Sequence, residues 1–276
     1  MSVFQGFFLG LLQGIAEFLP ISSSGHLAVV QHLFSLENIP LVFDVMLHLA
    51  TLLAVIVFFW KKIWSLICVF GRWITRKSTI EDTADLNMIV ALVLGTLVTG
   101  VFGIVFSDLI PDMPVKVICV GFILTSGLLI LSGRISKKRE EKNLSMQQEI
   151  AEPKTVKPLQ GLLIGLAQGI GVLPGISRSG STIAGALLCG VDRNTAGEFS
   201  FLLSIPAILG AFILEAKDLG EMGAVVGIIP LLVGCVTAFI AGFFALAFLM
   251  KIIRKGKLEW FAAYLIPLGI LGLIFF

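Results

Sequence analysis

Charge is scarce in this sequence. Of its 276 residues, 14% are Asp, Glu, Lys or Arg, where a soluble domain carries about 25%. It has three histidines, four cysteines and a single tyrosine. Too little charge is present to cover the surface of an ordinary water-soluble domain. The net charge of +2 argues against a nucleic-acid partner, which would need a basic footprint. Cys68, Cys119, Cys189 and Cys235 stand alone in apolar stretches with no Cys-x-x-Cys pair. Neither a zinc site nor a disulfide framework is supported, and each reads as a packing residue. The opening segment "MSVFQGFFLGLLQG" lacks a basic n-region and a small-residue cleavage site, so it is not read as a removable signal peptide. What is plentiful is apolar: 57% of residues are hydrophobic and the mean hydropathy is +1.01. The expected class is an all-α polytopic membrane protein.

Six stretches reach the roughly 20 apolar residues of a transmembrane helix: 40–60, 86–106, 115–133, 196–216, 223–250 and 258–276. Two further apolar segments, 3–36 and 159–192, are interrupted by "FLPISSSGH" and "VLPGISRSGS". Each half is about 14 to 17 residues, too short to span alone, so both segments are expected to be re-entrant helix–loop–helix hairpins. Charge tests this count. With six alternating spans, the loops 61–85, 134–158 and 251–257 and the turn 192–195 fall on one side and hold 17 of the 20 Lys and Arg residues. The other side receives Asp108, Asp112, Asp218 and Glu221, with only Lys116 and Lys217. By the positive-inside rule the basic side is cytoplasmic and both termini face out. The expected location is the plasma membrane.

Displacing the chain by 155 residues superimposes the two interrupted segments: Gln5/Gln160, Gly6/Gly161, Gly10/Gly165, Gln13/Gln168, Gly14/Gly169, Ser22/Ser177, Ser24/Ser179 and Gly25/Gly180 coincide. This divides the chain into a first repeat (1–133), a charged linker (134–158) and a second repeat (159–276) within one integrated membrane domain. Three spans separate the hairpins, an odd number, so the halves insert with opposite orientation. The broken tips then meet near the midplane, as in inverted-repeat transporters.

The polar residues of this apolar chain gather at those tips. Gln13 and Glu17 share a helix face and precede Pro20; Ser22, Ser23, Ser24, Gly25 and His26 follow. In the second hairpin Pro174-Gly175 precedes Ser177, Arg178, Ser179 and Gly180. Each Ser-x-Ser-Gly run opens a half-helix whose N-terminal amides and dipole favour an anion. Arg178 adds a planar fork suited to phosphate oxygens. Glu17 is suited to ligate a hard divalent cation or to act as a general base, and His26 to move protons or attack phosphorus. Bland readings stand beside these: Ser/Gly runs for close helix packing, Glu17–Arg178 as a structural ion pair, His26 as a satisfied interior histidine. Glu198 opens the span after the second hairpin and is read as support for Arg178. Asp44 and His48 share a helix face near the outer end of a span and read as structural or supporting.

"QGIAEFLPISSSGH" and "LPGISRSGSTIAGALLCGVDRNTAGEFSFLLSIP" resemble the two signature regions of the undecaprenyl-diphosphate phosphatases, the bacitracin-resistance membrane phosphatases. The resemblance covers essentially the whole chain. It implies removal of one phosphate from a C55 lipid diphosphate, recycling the carrier for cell-wall synthesis. It further implies an outward-facing site and a divalent cation, Mg²⁺ or Ca²⁺. The family's acidic motif falls on Gln13 and Glu17, its hydroxyl-rich stretch and histidine on Ser22, Ser23, Ser24 and His26, and its arginine motif on Pro174 through Gly180. Some members carry Glu where this chain has Gln13, which leaves a cation one anionic ligand fewer. The expected catalytic set is Glu17, His26, Arg178 and Ser23, with His26, Ser23 or a bound water as nucleophile. The expected partners are the prenyl diphosphate and membrane lipids. A homodimer is also expected if glycine faces such as Gly220, Gly223 and Gly227 pack between monomers rather than within one. The alternative is a secondary transporter or flippase of an anionic substrate, which the inverted repeat would equally support.

Overall fold

The structure is a computed structural model that describes residues 1–34, 36, 39–107, 109, 113–145, 155–216 and 226–276. Asp108, Asp112, Lys217, Asp218, Gly220, Glu221 and Gly223 lie outside the described residues. Among the described residues every regular element is helical: α1 (Val3–Phe18), α2 (Ser23–Leu33), α3 (Leu41–Phe58), α4 (Trp60–Ile74), α5 (Thr83–Phe106), α6 (Val115–Ser145), α7 (Pro158–Ile170), α8 (Arg178–Leu188), α9 (Arg193–Glu215), α10 (Ile228–Arg254) and α11 (Glu259–Phe275).

Five of these, α3, α5, α6, α9 and α10, are long and apolar enough to cross a bilayer. They make this a multi-pass membrane protein. α11 is apolar but only 17 residues long. Two loop expectations are corrected. The segment 61–85 contains α4, an amphipathic helix that exposes Trp60, Trp64, Ile67 and Trp73 along its length. Aromatic and basic residues mixed on one short helix suit a membrane–water interface better than a loop. α6 likewise runs past the expected span end at 133 and carries the charged segment through Ser145 as helix, because "SKKREEKN" is rich in good helix formers.

Both interrupted segments fold as a helix, a break and a second helix. α1 stops at Leu19, the residue before Pro20, as proline sterics favour. Ser22 sits in the left-handed region (φ 68°) and its hydroxyl caps α2 at Gly25 N–H. In the second segment Gly175 turns the chain at φ 89°, a conformation open mainly to glycine, and Ser177 caps α8 by accepting from Gly180 N–H at 3.0 Å.

Glycines decide how these segments pack. A Cβ on Gly6, Gly10 or Gly14 of α1 would strike the backbone of Pro230, Gly234 or Ala238 on α10. A Cβ on Gly161 or Gly165 of α7 would come within 2.5 Å of Ala91 or Gly95 on α5. Gln5-to-Gly14 and Gln160-to-Gly169 are the strongest stretch of the sequence repeat. In both copies the repeated glycines let two helix backbones approach closely. The partners are exchanged, since α1 lies against α10 of the second half of the chain and α7 against α5 of the first. That exchange brings the two breaks together.

Candidate active site

At the centre is an ion pair. Arg178, the first residue of α8, reaches Glu17, in the last turn of α1, with Nη2 on Oε1. The Glu17 side chain is only 5% exposed. An ionised carboxylate at that depth needs partners, and its second oxygen has three. Oε2 accepts from Gln13 Nε2 at 2.9 Å and from Ser23 Oγ at 2.7 Å. His48 Nε2 approaches it at 3.3 Å. Helices α1, α2, α3 and α8 therefore each supply a group to one carboxylate.

The breaks themselves are tied together. Ser22 Oγ accepts from Gly175 N–H at 3.1 Å, and Ser177 N–H donates to Thr125 Oγ1 at 3.0 Å. Gly25 lies so close to Gly175 and Phe122 that a Cβ there would meet Gly175 N at 3.0 Å and the phenyl ring at 2.7 Å. A Cβ on Gly180 would meet Pro20 Cβ at 3.2 Å. Ser179 Oγ lies 3.3 Å from Ser177 Oγ and 3.5 Å from Leu19 O, and Ser24 is half-buried in the first turn of α2. The two capping serines, related by the sequence repeat, thus hold opposite sides of one junction.

A family model described as "Bacitracin resistance protein BacA" matches residues 6–271. The chain belongs to the BacA family. It is 51% identical over 270 residues to the undecaprenyl-diphosphatase of Treponema denticola, covering 98% of this chain and 96% of that one. It is 39% identical over 280 residues to the undecaprenyl-diphosphatase of Carboxydothermus hydrogenoformans, covering 99% and 97%. With the enzyme of that name from Oceanobacillus iheyensis it shares 37% over 287 residues, the full length of both chains.

In this BacA-family chain His26 stands apart from the carboxylate cluster. Its Nδ1 lies 2.8 Å from Ser22 O, and since a carbonyl only accepts, Nδ1 carries the proton. Nε2 then accepts from the Tyr264 hydroxyl at 2.9 Å. The ring stacks on Tyr264 and tilts against Phe122. Glu198, expected beside Arg178, is instead held by Lys62 at 3.6 Å, and Lys62 also binds Asp85 at 2.8 Å. The arginine's partner is Glu17, from the other repeat.

His48 and Tyr264 are the residues that sequence reasoning underused. His48 shared a face with Asp44, and that was visible; its direction toward Glu17 was not. Tyr264 offered a signal, being the single tyrosine of the chain. A narrow cleft continues from the ion pair between α3, α7, α8 and α9, lined by Thr51, Gln168, Ser179, Thr182, Ser200 and Ser204 among apolar side chains. No motif announced it, because its polar groups come from four helices.

Among the described residues no three His, Cys, Asp or Glu side chains gather into a metal cage. The donor set near Glu17 suits a hard cation bound in another way. Gln13 Oε1 is fully buried and has no protein partner among the described residues, and it belongs to the same amide that bonds Glu17. One carboxylate and one amide oxygen, completed by phosphate oxygens and water, is how a protein commonly holds Mg²⁺ on a substrate.

Proposed function

We propose that this chain hydrolyses undecaprenyl diphosphate to the monophosphate and inorganic phosphate within the plasma membrane, recycling a lipid carrier for cell-wall synthesis. The observation that carries this reading is the Arg178–Glu17 pair, formed where two broken helices meet. Relatives with full-length coverage bear the name undecaprenyl-diphosphatase, and the chain has the apolar helices a prenyl-lipid enzyme needs.

The topology we propose has six spans (α3, α5, α6, α9, α10 and α11) with α1–α2 and α7–α8 as re-entrant hairpins entering from opposite leaflets, in two inverted repeats, 1–133 and 159–276. The basic residues support the sidedness. Lys62–Asp85, Lys62–Glu198, Arg72–Asp82 and Arg193–Glu140 pair off, and Arg139 donates to the last carbonyls of α8. These contacts gather α4, the start of α5, the C-terminal parts of α6 and α8 and the start of α9 on one side, which the positive-inside rule makes cytoplasmic. Both termini and the active site then face outward.

In the resting site Arg178 rests on Glu17. A diphosphate carries more charge and more acceptor oxygens than one carboxylate, and its geometry matches the guanidinium fork. Its arrival moves Arg178 from Glu17 to the phosphoryl oxygens, where charge builds as the bond breaks. The N-terminal turn of α8 adds its dipole to the same place. Glu17 and Gln13 Oε1 would hold a bound Mg²⁺ or Ca²⁺; such an ion supplies Lewis acidity at the phosphate oxygens. Ser23 and His48 keep the carboxylate oriented. Ser22, Ser177 and Ser179 keep the two tips in register. His26, locked between Ser22 O and Tyr264, stiffens the start of α2.

Phosphate release from undecaprenyl diphosphate by the purified protein in detergent, with Mg²⁺ or Ca²⁺ present, tests this reading. There is no second compartment in such an assay. Steady multiple turnover is expected. Failure to release phosphate from prenyl diphosphates of any length would contradict the proposal and favour a transporter built on the same repeat.

A further inference from the structure

The cleft beside Arg178 has an unusual chemistry: its hydroxyl protons are already committed. Thr182 Oγ1 lies 2.9 Å from Arg178 O and 3.1 Å from Ser179 O, so its proton serves backbone carbonyls. Its close contact with Ser200 Oγ is then donated by Ser200. Ser204 Oγ donates to Phe201 O at 2.7 Å and Thr51 Oγ1 to His48 O at 2.8 Å. What these side chains turn toward the cleft is lone pairs.

Gln168 adds a further acceptor, and its orientation is fixed. Thr99 Oγ1 gives its proton to Gly95 O at 2.8 Å, so it must accept from Gln168, whose Nε2 lies 3.0 Å away. Turning the amide round would set two acceptors against each other. Gln168 Oε1 is therefore the atom offered to the cleft. It is fully buried and has no protein partner among the described residues. Leaving a buried acceptor unpaired costs about 1–3 kcal/mol, so a donor belongs there.

A buried, unpaired amide oxygen beside hydroxyl lone pairs calls for a small molecule with protons to give. The space holds about one water molecule, and a water in such a site makes about three hydrogen bonds. We infer that this cleft is the seat of the hydrolytic water, which gives one hydrogen to Gln168 Oε1 and the other to a hydroxyl oxygen of α9, that of Ser200 or Ser204. The inference rests on the phosphatase reading and deepens it, because it assigns the nucleophile. With both hydrogens drawn to acceptors, the water's lone pair points out of the cleft, toward the phosphoryl group that Arg178 holds. Its oxygen forms the new bond to the terminal phosphorus, and the bond from that phosphorus to the bridging oxygen breaks. The electron pair leaves on the lipid monophosphate, and one proton of the attacking water passes to a non-bridging oxygen of the inorganic phosphate it has formed. No phosphoenzyme forms. His26, whose Nε2 lone pair is occupied by Tyr264, attacks nothing.

The test is the stereochemical course of hydrolysis by the full-length wild-type protein. The substrate is a prenyl thiodiphosphate made chiral at its terminal phosphorus with oxygen isotopes, hydrolysed in isotopically labelled water. A single displacement by water inverts the configuration; transfer through His26 or Ser23 retains it. Inversion is the expected result, and retention overturns the inference while leaving the phosphatase reading intact. A wild-type protein that releases no phosphate overturns both. Gln168→Met, which keeps length and volume without the acceptor, supplies a second readout. Its kcat is expected to fall about 10²-fold through misplacement of the water, with KM within about twofold because the substrate contacts are unchanged. A wild-type kcat in Gln168→Met, or a loss confined to KM, overturns the assignment of Gln168.

Discussion

Arg178 and Glu17 lie 161 residues apart in the chain and form one ion pair. Each sits at the inner end of a broken helix, and the breaks are counterparts in a sequence repeat. Helix packing sets their distance. α1 is pressed onto α10 and α7 onto α5 through glycine faces, and each pairing joins a helix of one half of the chain to a helix of the other. The two halves of the polypeptide are thereby brought to a single junction.

Because the pair is buried, its two halves are unequal in effect when removed singly or together. Glu17→Ala leaves a guanidinium, only 21% exposed, without its carboxylate. Such a stranded charge costs about 3–5 kcal/mol. The double variant Glu17→Ala/Arg178→Ala removes both charges and is expected to unfold at a higher temperature than Glu17→Ala in the same detergent. Thermal unfolding followed by tryptophan fluorescence checks the order; a double variant less stable than either single would contradict it.

The glycine crossings give a prediction with an internal control. Gly10→Ala places a methyl group against the Gly234 backbone, and Gly165→Ala places one 2.5 Å from Gly95 Cα. Backbone atoms cannot rotate away, so each is expected to lose about 1–3 kcal/mol of stability. Gly100→Ala and Gly103→Ala on α5 meet nothing within 4 Å and are expected to be neutral or to stabilise by up to about 1 kcal/mol. The same unfolding assay separates the two pairs.

His48 is held on one side by its own helix, with Nδ1 2.7 Å from Asp44 O, while Nε2 faces Glu17. On the proposed mechanism it would act through the carboxylate. His48→Ala is expected to lower kcat/KM about 10–100-fold, the usual effect of losing a group that orients a ligand-bearing carboxylate. It should also raise the Mg²⁺ concentration giving half-maximal rate. His48→Gln, which keeps a polar group in reach of Glu17, should recover part of both. Equal rates and equal metal dependence in His48→Ala and wild type would remove His48 from the site.

Tyr264→Phe deletes one hydrogen bond, the one to His26 Nε2. A net loss of about 0.5–1.5 kcal/mol is expected, seen as a several-fold fall in kcat/KM without a phosphohistidine on rapid acid quench. Trapping of phosphate on His26 in this variant or in wild type would show that the imidazole does attack phosphorus.

Much of this arrangement was legible in the sequence, and the reasons differ by residue. Gln13, Glu17, Ser22 and Arg178 stood out because polar groups in so apolar a chain need a partner or a task. The repeat identified which two stretches belong together. The amphipathic α4 was missed because Lys61, Lys62 and Arg72 read as a loop when charges are merely counted; its Trp60, Trp64, Ile67 and Ile74 face shows only on a helical wheel. Glu198 was assigned to Arg178 by nearness in sequence, and space gave it to Lys62. His48 was legible as a face-mate of Asp44 and Gln168 as the counterpart of Gln13, but what each side chain reaches was not. Which way an imidazole or an amide points is a property of the packed helices, and no spacing along the chain contains it.

The central claim is that two helix breaks, one from each half of the chain, form a single catalytic site. A double-mutant cycle on phosphate release measures this directly, using wild type, Glu17→Gln, Arg178→Gln and the double variant with undecaprenyl diphosphate. If the residues act as a unit, each single substitution costs about 10²–10³ in kcat and the double variant is little worse than either single. Losses that simply multiply, or a single variant with near wild-type turnover, would contradict it.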